Sequence, residues 1–183
     1  MIKAHSKAIY RELINGKVIN KHVYLNGAMQ ENNLYDELVT NHDAYKQHYA
    51  INGFELSSCG EAFFLREDDM NRYKDTPALK IQAILFILSK FCSEMGTRVE
   101  ALFNYKAGLK RSSIDAIGQF DEVNDILKAC DMKGALASEI DNNWVSRGIA
   151  FWNQSEGLVL TDGGKAIFDQ MFRTNELSAT TYL

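Results

Sequence analysis

Apolar residues at helical spacing predict two helices in the first third of the chain. The first carries Ile9 and Leu13 and ends near Gly16. The second follows Asn32 and ends near residues 52–53. Its apolar stripe recurs at steps of three and four residues: Tyr35, Leu38, His42, Tyr45 and Tyr49. Residues 18–28 show no clear period, and we predict a linker there.

A short β-hairpin with a polar turn follows these helices, and the same arrangement returns near the other end of the chain. Residues 54–57 and 62–65 flank the first turn, and residues 148–152 and 158–160 flank the second. Helices followed by a two-stranded wing are the element order of a winged helix. The repeat lies in the order of elements, because no residue-level repeat relates the halves.

The second module begins with a strong helix signal at Thr76 and Pro77. Threonine caps free N–H groups, and proline suits the first helical position. The helix over residues 78–94 is apolar nearly all round, so we expect it to pack on its own module and also on the other module or a second subunit. Further helices are predicted over residues 120–130 and after Asp162.

These elements predict a mostly α protein with small β-hairpins, an α+β fold of tandem winged-helix domains. The N-terminal winged-helix domain would span residues 1–66 and a charged linker residues 67–76. The C-terminal winged-helix domain, with a terminal helix and a frayed tail, would span residues 77–183.

The charge and composition of the chain disfavour several classes of protein. The 183 residues carry a net charge of −4, whereas a dedicated DNA-binding module usually has a basic excess. The three cysteines are far apart and form no CxxC pair, which favours reduced thiols in the cytoplasm over a zinc site or a disulfide framework. The most apolar run, residues 81–88, is shorter than the about 20 residues that span a bilayer, so we expect no membrane contact.

No pattern predicts a catalytic, cofactor-binding or metal-binding residue. His42 and His48 lie on different faces of the predicted helix, which favours core or interface roles over a shared metal ion. Residues 162–165 lack P-loop spacing and suit a tight turn with Asp162 capping a helix. The acidic residues 67–69 suit a solvated linker, and the thiols have no histidine partner in a motif. We therefore expect a protein that is not an enzyme.

A basic patch is the candidate for nucleic-acid contact. Lys106 and Lys110 are spaced by one helical turn and Arg111 follows, so that all three could face phosphates. The alternative is an ordinary solvated helix face.

Aromatic residues near the second wing are the candidates for partner contact. Trp144 and Trp152 flank Arg147, and tryptophan and arginine are enriched in interface hot spots. The alternative is core packing.

The pattern as a whole resembles the MukE/MksE family. The resemblance covers roughly residues 8–172. It is carried by the helix and hairpin over residues 34–65, the apolar helix over residues 81–91, and the wing and helix marked by Phe151, Trp152, residues 158–161 and Phe168.

This resemblance implies a non-enzymatic accessory subunit of a bacterial SMC–kleisin complex of the MukBEF or MksBEF kind. Such a subunit would form a homodimer, bind the kleisin and through it the SMC ATPase, contact DNA weakly, and act at the nucleoid in chromosome segregation and condensation or in plasmid defence. The alternative is a winged-helix transcriptional regulator, which would need a basic recognition helix. The predicted helix over residues 120–130 has Lys128 as its only cation.

Overall fold

The structure, a computed structural model, describes residues 3–67 and 76–179. It confirms a mixed α+β fold in which helices alternate with small antiparallel sheets, consistent with winged helices. The chain divides into two compact units. Unit 1 combines Met1–Leu25, Met29–Asp68 and Thr161–Leu183, and unit 2 combines Asn26–Ala28 and Asp69–Leu160.

Unit 1 has the element order of a winged helix with a hairpin inserted after the first strand. Its elements in chain order are α1 (Lys3–Ile14), β1 (Ile19–Asn20), β2 (His22–Leu25), β3 (Ala28–Glu31), α2 (Asn33–Thr40), α3 (His42–Ile51), β4 (Phe54–Ser58), β5 (Ala62–Glu67) and α8 (Asp162–Ala179). The tip of the β2–β3 hairpin is the segment grouped with unit 2.

The wing of unit 1 is the β4–β5 hairpin, and β1 completes a three-stranded sheet in the order β1-β5-β4. All pairs are antiparallel, with Ile19 opposite Phe63 and Leu56 opposite Leu65. Apolar side chains of α1, α2, α3 and this sheet form one core: Ile9, Leu13, Ile19, Leu38, Tyr45, Tyr49, Leu56 and Phe63.

Unit 2 repeats the winged-helix order with an extra helical segment before its wing. Its elements are α4 (Thr76–Glu94), a 3-10 helix (Val99–Phe103), β6 (Leu109–Lys110), α5 (Arg111–Ile117), α6 (Asp121–Ala129), α7 (Leu136–Ile140), a π-helical turn (Asp141–Val145), β7 (Ala150–Trp152) and β8 (Gly157–Leu160). The sheet order is β6-β8-β7, so the short strand again pairs with the second strand of the wing.

Helix α4 supplies much of the core of unit 2 but keeps one exposed apolar stripe. Ile84, Leu88 and Phe91 are buried. Leu79 and Phe86, seven residues apart and so on one face, are each about half exposed at 50% and 49%. The expectation of a helix buried nearly all round therefore holds for most of its circumference and leaves this stripe uncovered in the single chain.

The last helix differs from the predicted domain organisation. The sequence places residues 161–183 with the C-terminal domain, whereas α8 groups with unit 1. Its start is capped by Thr161, whose Oγ1 accepts from the Gly164 amide at 3.2 Å, and not by Asp162 as expected. Helix α8 continues to Ala179, so the tail expected to fray after residue 172 is helical to that point. Most of the predicted linker, residues 68–75, and residues 180–183 lie outside the described residues.

Three local predictions from the sequence are wrong. The segment predicted as a linker over residues 18–28 contains β1, β2 and the start of β3. The helix predicted over residues 33–52 is two helices, because Asn41 leaves helical geometry with φ −117° and ψ 29°. Lys106 and Lys110 do not share a helix, since Lys106 lies in a turn and Lys110 in β6.

In the part of the chain that the structure describes, the helices are too short or too polar to cross a bilayer.

Candidate interaction surface

Arg111, Asp141 and Trp152 form a connected group beside the second wing, here called the Trp152 cluster. Arg111 begins α5 and lies over the Trp152 ring, with its Cζ atom 4.9 Å from the ring centroid. The Asp141 carboxylate accepts from Trp152 Nε1 at 2.6 Å and lies 3.5 Å from an Arg111 guanidinium nitrogen. Stacking and two polar contacts therefore hold a half-exposed arginine and a tryptophan in one arrangement.

Lys106 and Lys110 are positioned by contacts with the wing rather than by a helix. Lys110 donates from Nζ to the Ser155 carbonyl in the wing turn at 3.1 Å. Lys106 is exposed, and its ammonium lies 5.7 Å from the centre of the neighbouring Tyr105 ring. The structure thus brings Lys110 and Arg111 to the same wing, with Arg111 charge-paired to Asp141.

Asn153 joins the Lys106 turn to the wing. Its buried amide donates to the carbonyls of Tyr105 at 3.1 Å and Lys106 at 3.0 Å. Its Oδ1 accepts from the amides of Ser155 at 2.9 Å and Gly157 at 2.8 Å. One side chain therefore satisfies four backbone groups at the base of the patch.

Two glycines make this close approach sterically feasible. A Cβ on Gly108, which has φ 65°, would lie 2.5 Å from the Gly157 backbone. A Cβ on Gly157 would lie 2.1 Å from the Ala107 carbonyl oxygen. Larger residues at either position would push the Lys106 turn away from β8.

The predicted partner residues separate into a buried and an accessible group. Trp144 is 1% exposed and donates from Nε1 to the Ile81 carbonyl at 3.3 Å, so it packs in the core of unit 2. Arg147 and Trp152 are partly exposed. Of the predicted partner residues, Arg147 and Trp152 are therefore the two that a partner could reach.

The helical segment that precedes the second wing occupies the position of a winged-helix recognition helix, and its sequence has no lysine or arginine over residues 136–145. It carries two acids instead. Glu139 is buried and accepts from the Gly134 amide at 2.7 Å and from Asn143 Nδ2 at 3.0 Å. Asp141 faces Arg111. A phosphate backbone approaching this helix would therefore meet no lysine or arginine on it.

Sequence reasoning missed Asp141 and Asn153 as members of this surface. Asn153 leads the polar wing turn, a position where asparagine commonly bonds the following amides, and this signal was available. The role of Asp141 depends on contacts across 30 and 11 positions of the chain, which local patterns do not show.

Unit 1 brings together a group that the sequence did not connect. Among the described residues, His22, Glu61 and Asp162 are a set of His, Cys, Asp or Glu side chains whose ligand atoms lie within 4.8 Å of one another. The two histidines considered for metal binding from the sequence, His42 and His48, are not part of this group. His42 lies 3.6 Å from Asp43, and His48 packs edge-on against Tyr49.

The cysteines have no disulfide partner. Burial raises the pKa of Cys59, and burial followed by the charge of Glu100 raises the pKa of Cys92 to about 11. Both thiols are therefore protonated at neutral pH and are poor nucleophiles.

Comparison with models of known protein families identifies the family of the chain. The family model described as condensin complex protein MksE matches residues 4–172, which includes both wings and the start of α8. None of the curated proteins matches the chain. Because the family model covers nearly all of the described residues, the resemblance stated from the sequence is confirmed, and the chain belongs to the MksE family of condensin complex proteins as a subunit of a condensin-like complex.

Proposed function

We propose that this protein is a non-enzymatic, homodimeric accessory subunit that binds the kleisin of a bacterial SMC–kleisin complex. Family membership supports a place in a condensin-like complex. The observation that carries the finer proposal is the acidic helix before the second wing, with Asp141 holding Arg111 against Trp152. This surface suits a protein segment better than a phosphate backbone.

The Trp152 cluster has the features of an interface anchor. Tryptophan and arginine dominate measured hot spots, and a side chain already held in its bound arrangement loses less entropy on binding. Strand β7 is the outer strand of its sheet, so an extended kleisin segment could add beside it and place a side chain against Trp152. Through the kleisin, the subunit would reach the SMC ATPase and work at the nucleoid in the cytoplasm, in chromosome segregation and condensation or plasmid defence.

The test is affinity purification of the tagged protein from its own cells at moderate salt, with mass spectrometry of the chains that copurify. We expect a long coiled-coil ATPase and a kleisin-like protein. The double variant Arg111→Ala/Trp152→Ala should recover at least tenfold less kleisin. Arg98→Ala, which removes an exposed arginine elsewhere on unit 2, should recover as much as the wild type. Equal recovery by the double variant would reject this surface.

Dimerisation is proposed through the exposed stripe of α4. Leu79 and Phe86 are two large apolar side chains that are half exposed on one face, and a second copy of the same stripe would cover them symmetrically. Phe86→Asp should halve the molar mass measured by light scattering after size exclusion. Ile51→Asp, at an 85% exposed apolar residue of unit 1, should leave the mass unchanged. A dimer that persists in Phe86→Asp would place the interface elsewhere.

DNA contact is proposed to be weak and independent of sequence, through Lys106, Lys110 and Arg111. Binding measured by fluorescence anisotropy should weaken with salt at a logarithmic slope of about −2 to −3, as expected for two or three phosphates. Replacing the three cations with Glu should abolish this binding and leave the dimer intact. Tight binding to one promoter sequence at physiological salt would instead support the alternative of a transcriptional regulator.

A further inference from the structure

We propose that His22, Glu61 and Asp162 of unit 1 form a binding site for a divalent transition-metal ion of the Zn²⁺ class. The three residues come from three separate segments: the start of β2, the turn of the first wing, and the first residue of α8. Their ligand atoms lie within 4.8 Å of one another. This inference is independent of the proposed kleisin contact, which lies on unit 2.

Hydrogen bonds donated by three backbone amides hold the segments together without a metal ion. The Asp162 carboxylate accepts from the His22 amide at 2.8 Å, and the Gly163 amide donates to Asn20 Oδ1 at 2.8 Å. The Lys21 amide donates to the Glu61 carbonyl at 2.9 Å. A site whose ligands are already positioned loses little entropy when the ion binds.

The donor set is suited to zinc. Neutral imidazole and carboxylate are its usual ligands outside thiolate sites, and three protein ligands plus water complete a tetrahedron. His22 Nδ1 lies 3.1 Å from Asp162 Oδ2, close to the ligand-to-ligand separation that zinc requires. Binding through Nδ1 requires the neutral ring with its proton on Nε2.

Lys21 prepares Glu61 to act as a ligand. Its ammonium lies 2.5 Å from Glu61 Oε1, and this contact holds one oxygen of the Glu61 carboxylate in place. One carboxylate oxygen would keep this contact while the other turns to the ion, so Lys21 would orient the ligand from outside the metal. The Glu61 side chain is half exposed and is able to make this movement.

An ion at this position would join the first wing to α8. Unit 1 depends on a segment that returns from the far end of the chain, and the three ligands lie where that segment meets the sheet. Metal binding would therefore stabilise the docking of α8 within unit 1.

The test is Zn²⁺ titration of the full, untagged chain by isothermal calorimetry, with thermal unfolding in parallel. We expect one saturable site per chain and a rise in Tm of about 5 °C with excess Zn²⁺. Glu61→Gln, a change at an exposed turn that should not disturb folding, should weaken binding at least tenfold. His22→Gln should weaken it further.

Two control variants exclude other ligands. His48→Gln removes an exposed histidine of unit 1 outside the site, and Cys59→Ser removes the thiol in the same turn. Both should bind Zn²⁺ like the wild type. The proposal is overturned if the wild type shows no saturable site, if Glu61→Gln and His22→Gln bind as tightly as the wild type, or if binding depends on Cys59.

Discussion

The two units share the order of a winged helix, but the contacts that join their strands to neighbouring elements span very different distances along the sequence. In unit 1, Asp162 meets His22 across 140 positions of the chain, and Gly163 meets Asn20 across 143. In unit 2, Asn153 ties the wing to the Lys106 turn across 47 positions. The same arrangement of helices and strands is thus completed by a distant helix in one unit and by its own preceding turn in the other.

The difference bears on which unit presents an interaction surface. In unit 1, Asn20 of β1 and His22 of β2 form hydrogen bonds with the first residues of α8. In unit 2 the local ties leave Arg111 and Trp152 partly exposed beside the wing. The unit whose helices and wing strands lie in one stretch of chain, residues 76–160, is the one with an accessible aromatic and charged cluster.

The largest expected effect is the difference in stability between alanine variants of the two tryptophans of unit 2. Trp144→Ala removes a fully buried side chain and should lower the free energy of unfolding by about 3–5 kcal/mol. Trp152→Ala removes a partly exposed ring and should cost less than about 1.5 kcal/mol. Urea denaturation followed by circular dichroism measures both. Similar losses for the two variants would show that Trp152 is as important to folding as Trp144.

The second prediction compares one buried asparagine from each unit, Asn20 and Asn153. Asn153→Ala leaves backbone groups of the Lys106 turn without partners and should cost about 2 kcal/mol. Asn20→Ala should loosen the start of α8 instead, because Asn20 accepts from the Gly163 amide.

Hydrogen exchange locates each effect. Protection should fall around residues 104–108 and 153–157 in Asn153→Ala, and around residues 161–165 in Asn20→Ala. Loss of protection at the same residues in both variants would show that Asn153 and Asn20 do not stabilise separate regions.

The third prediction concerns alkaline pH and the aromatic core of unit 1. Burial, followed by the proximity of Tyr45, raises the pKa of Tyr49 to about 12. A raised pKa in the folded state means that the neutral phenol stabilises the fold below pH about 10, and that this stability is lost as pH rises towards 12. Unit 1 should therefore unfold in this window, coincident with tyrosinate absorbance. Tyr49→Phe should remain folded to higher pH, and an unchanged midpoint would reject the assignment.

The smallest expected effect is on thiol reactivity. Cys92, buried in unit 2 with a pKa of about 11, has about 0.1% thiolate at pH 8. Iodoacetamide should modify Cys59, half-buried in the first wing turn, at least tenfold faster than Cys92 in the native protein. Mass spectrometry of peptides measures the two rates. Equal rates in the native protein, with both fast, would show that unit 2 opens readily.

The sequence predicted the elements whose signal is local and repeated. Both wings, α4 and the start of α8 were placed within about two residues, because alternation and helical periodicity persist there and Pro77 marks a helix start. The end of α8 at Ala179 was missed, since the polar residues after Phe172 carry no apolar period. The strands β1 and β2 were missed, since two to four residues give no measurable period. The break at Asn41 was missed because the apolar stripe continues through it.

The site was less predictable than the fold. Lys110, Arg111 and Trp152 were identified as candidates by type, and the structure places them beside one wing. The helix before that wing was missed because Glu139 and Asn143 are buried polar residues that interrupt its apolar pattern. The set of His22, Glu61 and Asp162 depends wholly on long-range folding and has no local signal.

The return of α8 to unit 1 sets an order for folding during synthesis. The ribosome delivers every residue of unit 2, through Leu160, before it delivers the helix that completes unit 1. All helices and strands of unit 2 are therefore synthesised while unit 1 still lacks α8, the helix that packs at its sheet. A chaperone acting on the nascent chain would find its exposed apolar surface in the part translated first, the reverse of the usual N-to-C order for tandem domains.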